Sequence, residues 1–358
     1  MPSRRNLLAF GAVTLLLFFT EYQFAFSRDR YYNYYKRTVS RPITIRRDKN
    51  TTNLNIGILV VLDSKAKEAE YRQALDSLRC YTTFHKYSLE LVYLEQNKTL
   101  SRLCPHSDFM FKRHCIAALS LPKYDWMLFV DGDVGVINPN HLIEEWIDER
   151  VNVILYDRLF NHEVMAGSYL IANSSYSVDF LNTWANYEFK LPDSFHGTDN
   201  GAIQTVLTDK LIPHAVEERL LCSYLWNKSK NYKDLYIYET CARFVLGANR
   251  LWDGQVKILP KGKAWARDGW LTGSMWSPRD FMFHGWQRTR QDSYRFASWP
   301  NPLSDSIDMT KCSLESGSWS YKDTFIRSDA EISDILKKCI RQVEKEFWKT
   351  AGDIRRFV

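Results

Sequence analysis

The run Trp126–Val130, WMLFV, most limits what this chain can fold into. An unbroken apolar run of strand length suits a strand buried on both faces, as in a parallel sheet covered by helices. It stops abruptly at Asp131-Gly132-Asp133, and Asn138-Pro139 follows as a turn signal. Alternate residues of an extended segment point the same way, so the two carboxylates share a face. Two hard oxygen anions at a strand's C-terminal end suit a divalent cation carrying a diphosphate. Open α/β sheets bind ligands at that end of their strands. Gly132 is expected to leave room for a ligand to approach the backbone. The competing reading is a polar turn, since Asp-Gly pairs are common turn residues.

A second continuous apolar run, Ile56–Leu62, reads as the first buried strand. Lys65–Cys80 has helical spacing through Ala69, Arg72, Leu75 and Leu78, and Ser88–Leu94 reads as the next strand. These make a βαβ unit, so the expected class is α/β, one Rossmann-like domain around a mostly parallel sheet. No GxGxxG follows the first strand, which disfavours a dinucleotide site. Further on, helices are expected over 109–121, 141–149, 178–189, 202–207 and 331–348, and strands over 151–156 and 163–172. Gly167 in the latter is expected to admit a ligand closely. Residues 211–238 read as surface and strand segments.

The N-terminus bears on the compartment. Arg4 and Arg5 precede Leu7–Phe19, apolar except for Thr14, the pattern of a signal segment. Extension to Phe26 brings it to the roughly 20 residues that a membrane-spanning helix needs. Residues 1–6 then read as a cytoplasmic tail, 7–26 as a signal anchor, 27–53 as a stem and 54–358 as a lumenal domain. Cleavage after Ala25-Phe26-Ser27, giving a secreted protein, is the alternative. Arg28–Lys49 holds eight Lys/Arg against two Asp, so much of the net charge of +6 sits in the stem. No zinc-finger spacing or RNA-binding signature accompanies it, so nucleic acid is not an expected partner. The seven cysteines include no C-x-x-C pair, against a zinc ribbon or redox motif. In an oxidising lumen they suit three disulfides and one free thiol, and local spacing suggests Cys104–Cys115, Cys222–Cys241 and Cys312–Cys339. Asn50, Asn97, Asn173 and Asn227 head N-x-S/T sequons.

Other candidate groups each carry a bland alternative. Asp63 at the first strand's exit is placed to touch a nucleotide base or ribose, or to cap a helix. In Lys112-Arg113-His114, Arg113 is a candidate diphosphate contact; a solvated helical face competes. Asp199 and Asn200 follow the small, polar His196-Gly197-Thr198 loop and precede an apolar helix, for which Asp199 is also a natural N-cap. His284, in Phe281-Met-Phe-His284-Gly285-Trp286, ends an apolar strand; a neutral imidazole there would complete a two-carboxylate site for Mn²⁺ rather than Mg²⁺. Gly285 and the neighbouring Gln287-Arg288 are candidate phosphate contacts. Trp252, Trp265, Trp270 and Trp276, with Arg267 and Asp268 among them, read as an acceptor cleft or as core.

In sequence order, then, a buried strand ends in Asp131-Gly-Asp133, Asp199-Asn200-Gly-Ala202 follows, and Phe283-His284-Gly285 comes late. This order resembles the GT-A glycosyltransferases, in particular the family of plant xyloglucan xylosyltransferases and galactomannan galactosyltransferases with yeast Golgi mannosyltransferases. More closely, the chain resembles a set of nematode type II membrane proteins. The resemblance covers about Leu54 to Arg290. It implies a GT-A fold and a Golgi enzyme that moves a hexose or pentose from a nucleotide-diphosphate sugar to a glycan acceptor, retaining configuration. Asp131 and Asp133 match its DxD pair, His284 its late metal-binding histidine, and Asp199 the acidic residue near the sugar's reacting carbon. Asn200 stands where the xylosyltransferases have Gln, a departure at a donor contact. A homodimer through the stem stays open. The rivals are a haloacid-dehalogenase-like phosphohydrolase, whose motif continues differently from Val134-Gly135, and a catalytically silent glycan-binding protein on the same fold.

Overall fold

The computed structural model describes residues 54–291, 296–304, 306–313 and 319–354. The expected anchor and stem lie outside them. Among the described residues no helix is long and apolar enough to cross a membrane. Of the described residues, 54–246 and those from Arg250 onward belong to one compact unit, and every site residue lies in it.

The first half runs β1 (Ile56–Leu62), α1 (Glu68–His85), β2 (Ser88–Tyr93), α2 (Lys98–Leu103), α3 (Phe109–Ser120), β3 (Trp126–Val130), β4 (Val134–Val136), β5 (Val153–Tyr156) and β6 (Ser168–Ala172). There follow α4 (Ser175–Ala185), α5 (Thr198–Leu211), α6 (Val216–Asn227), α7 (Tyr232–Leu246), β7 (Leu251–Trp252), β8 (Val256–Leu259), β9 (Ala266–Asp268), β10 (Met282–His284) and α8 (Asp329–Ile354). A seven-stranded sheet has the order β2-β1-β3-β6-β5-β8-β7. Only β6 and β7 run against the others, as their antiparallel pairings show. The sheet is therefore mainly parallel. Period-two alternation explains how it is covered: Leu59 and Val61 of β1 enter one core with Phe111, Ile116, Phe180 and Trp184. Ile58, Val60 and Leu62 enter the other with Leu75, Leu78 and Tyr81. Burial on both faces is why β1 and β3 carry no polar residue.

A small second sheet, β4-β10-β9, stands at the C-terminal end of β3. β10 pairs antiparallel with β4, with His284 opposite Val134, and parallel with β9, with His284 opposite Asp268. This register sets a late histidine beside an early aspartate.

Several local expectations change. The strand expected over 163–172 begins only at Ser168, and 163–167 is a loop bridged to Asp157 through Val164. Instead of a helix over 141–149 there is a single 3-10 turn, Ile143–Trp146. His141 there bonds Glu145, and Trp146 stacks on Phe281 with ring centroids 5.4 Å apart, so tertiary contacts override the helical pattern. Residues 211–238 hold helices rather than strands. The signal was present, since Cys222, Leu225 and Trp226 are buried at helical spacing. Two cysteine pairs join as expected, Cys104–Cys115 and Cys222–Cys241. The third does not: Cys312 joins Cys80, 232 residues away in sequence, and the free thiol is Cys339. Sequence spacing favours short loops, but the packing of the segment after β10 against α1 brings Cys312 to Cys80.

Candidate metal centre and cleft

Asp131 leaves β3 with its amide donating to Gly167 O at 2.8 Å, and Val134 N closes a tight turn onto Asp131 O at 3.0 Å. The turn presents Asp133, whose carbonyl accepts from Gly285 N at 3.0 Å and Trp286 N at 2.9 Å. Gly285 is needed there because its φ of +96° is strained for any L side chain. The two strand ends are thereby clamped together. Asp131, Asp133 and His284 bring one ligand atom each to within 4.8 Å of one another.

The donor set suits a divalent cation. His284 Nδ1 lies 2.7 Å from Asp268 Oδ1, and Nε2 lies 3.5 Å from Asp133 Oδ1. A proton on Nδ1 donated to Asp268 leaves the Nε2 lone pair for a metal, the usual carboxylate–histidine support. Two carboxylates with one imidazole fit Mn²⁺. Gln287 Nε2 donates to Asp133 Oδ2 at 2.7 Å. Asp268 is itself held at 2.9 Å by Arg158, which also binds Glu163 at 2.9 Å. Burial works against the Asp268 charge, but Arg158 and then His284 hold its carboxyl well below the usual range.

Asp199 behaves differently from expectation. Helix α5 starts two residues before the position that an Asp199 cap would give, its N-cap being Gly197 with φ 68°, and Asp199 is not the cap. Thr198, at φ 52°, continues the left-handed turn. The Asp199 carboxylate turns inward and is fully buried, with Arg113 Nη2 at 2.5 Å and His114 Nε2 at 3.0 Å. Burial raises its pKa, but Arg113 and His114 outweigh this and bring it to about 2. His114 stacks on Trp184 with centroids 3.7 Å apart, and burial pushes it down to about 4. Arg113 also binds Asp131 through Nη1. The competing reading of Lys112–His114 as a solvated face therefore fails at Arg113 and His114, both buried.

A cleft of about 920 Å³ opens on this centre. Arg113, Asp131, Asp133, Asn200 and His284 line it, and Asp199 does not. Asp63 is exposed at the end of β1 and lies outside the lining. Arg288 is exposed beside Glu70, with a 3.9 Å separation of charges. Gly167 lines the cleft, but Gly132 acts otherwise than read. A Cβ on Gly132 would come within 2.7 Å of Leu62 and 2.9 Å of Tyr71, so that space belongs to side chains and not to a ligand. A Cβ on Gly167 would strike the Asp131 carboxylate. Of the expected aromatic wall, only Trp270 lines the cleft. Trp265 is core and donates to Ser168 Oγ at 2.8 Å, Trp276 packs on Tyr321, and Arg267 is buried against Asp280. No sequence pattern pointed to Phe160, Glu163, Tyr232, Tyr236 or Phe296 in the lining. Aromatic spacing in loops carries no periodicity to find them by.

Residues 78–297 match a family described as "Protein of unknown function, DUF273". The chain belongs to this family. No curated protein matches it. Among solved structures, a glycosyltransferase involved in glycosylation of the major capsid of PBCV-1 is 19% identical, over 44% of this chain and 77% of that one, with a TM-score of 0.34. A197 from STIV is 12% identical over 36% of this chain and 68% of that one, with a TM-score of 0.23. Neither superposition is close enough to bear on the chemistry of this member, which rests on its own residues.

Proposed function

We propose that this chain is a metal-dependent glycosyltransferase that moves a hexose or pentose from a nucleotide-diphosphate sugar, a UDP-sugar by preference, to a glycan acceptor with retention of configuration. The observation that carries the reading is the convergence of Asp131, Asp133 and His284 at one end of a cleft, at the C-terminal end of β3. Asp131, Asp133 and His284 Nε2 would hold Mn²⁺ or Mg²⁺. Bound there, the cation would act as a Lewis acid on the diphosphate leaving group. In the transfer the bond from the anomeric carbon to the diphosphate oxygen would break, and a bond to the acceptor hydroxyl oxygen would form on the same face as its proton passes to the departing diphosphate.

The chain's own groups orient these partners. Asp268 fixes the His284 ring, and Gln287 holds the Asp133 carboxylate. Asn200 faces the cleft and is the group of the Asp199-Asn200 pair placed to touch donor sugar hydroxyls. Asp199 acts through Arg113 and His114 and is a positioning residue. Asp63 and Gly285 take no direct part in this version: Asp63 lies outside the cleft lining, and Gly285 shapes the turn. The three disulfides support a lumenal enzyme of the secretory pathway, and we place it in the Golgi, held by its N-terminal segment.

The test is turnover of UDP- and GDP-sugars by the full chain, with Mn²⁺ or with chelator, beside Asp133→Ala. Turnover of a donor that needs the metal and vanishes in the variant is the expected result. Release of phosphate from simple phosphoesters without metal would overturn it in favour of a phosphohydrolase.

A further inference from the structure

We propose that the acceptor is a neutral oligosaccharide whose ring face docks on an aromatic platform, Phe160, Trp270 and Phe296, at the mouth of the cleft. The inference rests on the transferase reading and narrows its glycan acceptor to a neutral saccharide held by its ring face.

The three rings come from separate parts of the chain. Trp270 lies 5.0 Å from Phe160 and 5.5 Å from Phe296, centroid to centroid. All three line the cleft that holds Asp131, Asp133 and His284. Phe296 is 77% exposed, and large rings left contiguous at the surface of a monomer mark binding surfaces. Core packing does not account for Phe296, which has almost no cover, while Phe160 and Trp270 are half-buried and hold the platform to the fold. The cleft's volume, about 920 Å³, stands near the upper end of the roughly 300–1,000 Å³ of single-ligand sites. It has room for an acceptor beside a donor at the carboxylates.

The chemistry of the platform selects the occupant. An aromatic face accepts the C–H face of a pyranose, while the sugar's rim needs hydrogen-bonding groups in its plane. His196, Asn200 and Glu163 supply such groups in the same cleft. Arg158, the cation stacked on Phe160 at 4.5 Å, is neutralised between Glu163 and Asp268. Held between two carboxylates, this arginine offers no uncompensated positive charge to attract an acidic sugar.

The experiment uses the full chain with Mn²⁺ and UDP, and ligand-observed saturation-transfer NMR. The probes are cellotetraose, mannotetraose, xylotetraose, chitotetraose, a hyaluronan tetrasaccharide and a Ser/Thr-rich peptide. We expect a neutral tetrasaccharide to receive saturation on the protons of one ring face. Trp270→Ala, and independently the surface change Phe296→Ala, should each weaken its binding by about tenfold, while the thermal shift given by UDP and Mn²⁺ stays as in the unmodified chain. Binding of the peptide or hyaluronan alone, of no probe at all, or unchanged binding in both variants would overturn the proposal. Loss of the UDP–Mn²⁺ shift in the unmodified chain would strike the transferase reading alone, because saccharide contact is read separately.

Discussion

Two glycines show how closely single residues set the centre. Gly167 has no side chain because the Asp131 carboxylate occupies the space its Cβ would take. Gly167→Ala should swing that carboxylate out of place and cut metal-dependent turnover on the order of a hundredfold, the usual effect of an ångström-scale misplacement. Circular dichroism should stay that of the folded protein; full turnover in this variant would remove Asp131 from the metal set. Gly197 is required for its φ of 68° and for the contact its Cβ would make with Leu235. Gly197→Ala should therefore cost about 1–3 kcal/mol, read as a lower urea midpoint. Neither role is visible in the sequence, where Gly167 reads as a strand glycine beside a ligand and Gly197 as part of a small, polar loop. Asp131 and Asp133, by contrast, are legible because an abrupt change from apolar to anionic marks the end of a buried strand.

The small sheet is the element that makes the centre. Its register sets His284 opposite Val134 on one side and Asp268 on the other. Asp268→Asn should leave His284 in β10 but weaken its orientation, lowering Mn²⁺ affinity about 10–100-fold by calorimetric titration. Unchanged affinity would show that His284 needs no such support. The Cys80–Cys312 link ties α1 to the segment after β10 across 232 residues. Replacing both cysteines by Ser should lower the unfolding free energy by about 4 kcal/mol, whereas Cys339→Ser should change it by less than about 1 kcal/mol. A comparable loss in both variants by urea unfolding would restore the Cys312–Cys339 pairing that sequence spacing suggests.

At the scale of the whole molecule, buried histidines couple stability to pH. Burial pushes both His114 and His162 from 6.5 down to about 4. Their folded values lie below their unfolded ones, so between these pH values the unfolded chain binds more protons. Stability from these sites is complete above about pH 6.5 and declines as pH falls toward 4, by a few kcal/mol in total. His162 touches Tyr236 and Phe347 through ring edges, so Phe can replace it. His162→Phe should flatten the fall of Tm over that interval. An equally steep fall would leave His114 and the carboxylates as its cause.

The sequence by itself determined the two central strands, β1 and β3. Continuous apolar runs at Ile56–Leu62 and Trp126–Val130 have no stable place except between two covered faces, and Asp131 and Asp133 must then emerge at a strand end. Helix boundaries near Glu68 and Phe109 follow from periodicity of the same kind. Tertiary structure alone decided that the Asp199 carboxylate is buried against Arg113, that Cys312 joins Cys80, and that Asp268 supports His284. Those outcomes depend on contacts between residues far apart in the chain. Local hydropathy records whether a side chain is buried, but it holds no information about which distant partner will neutralise its charge.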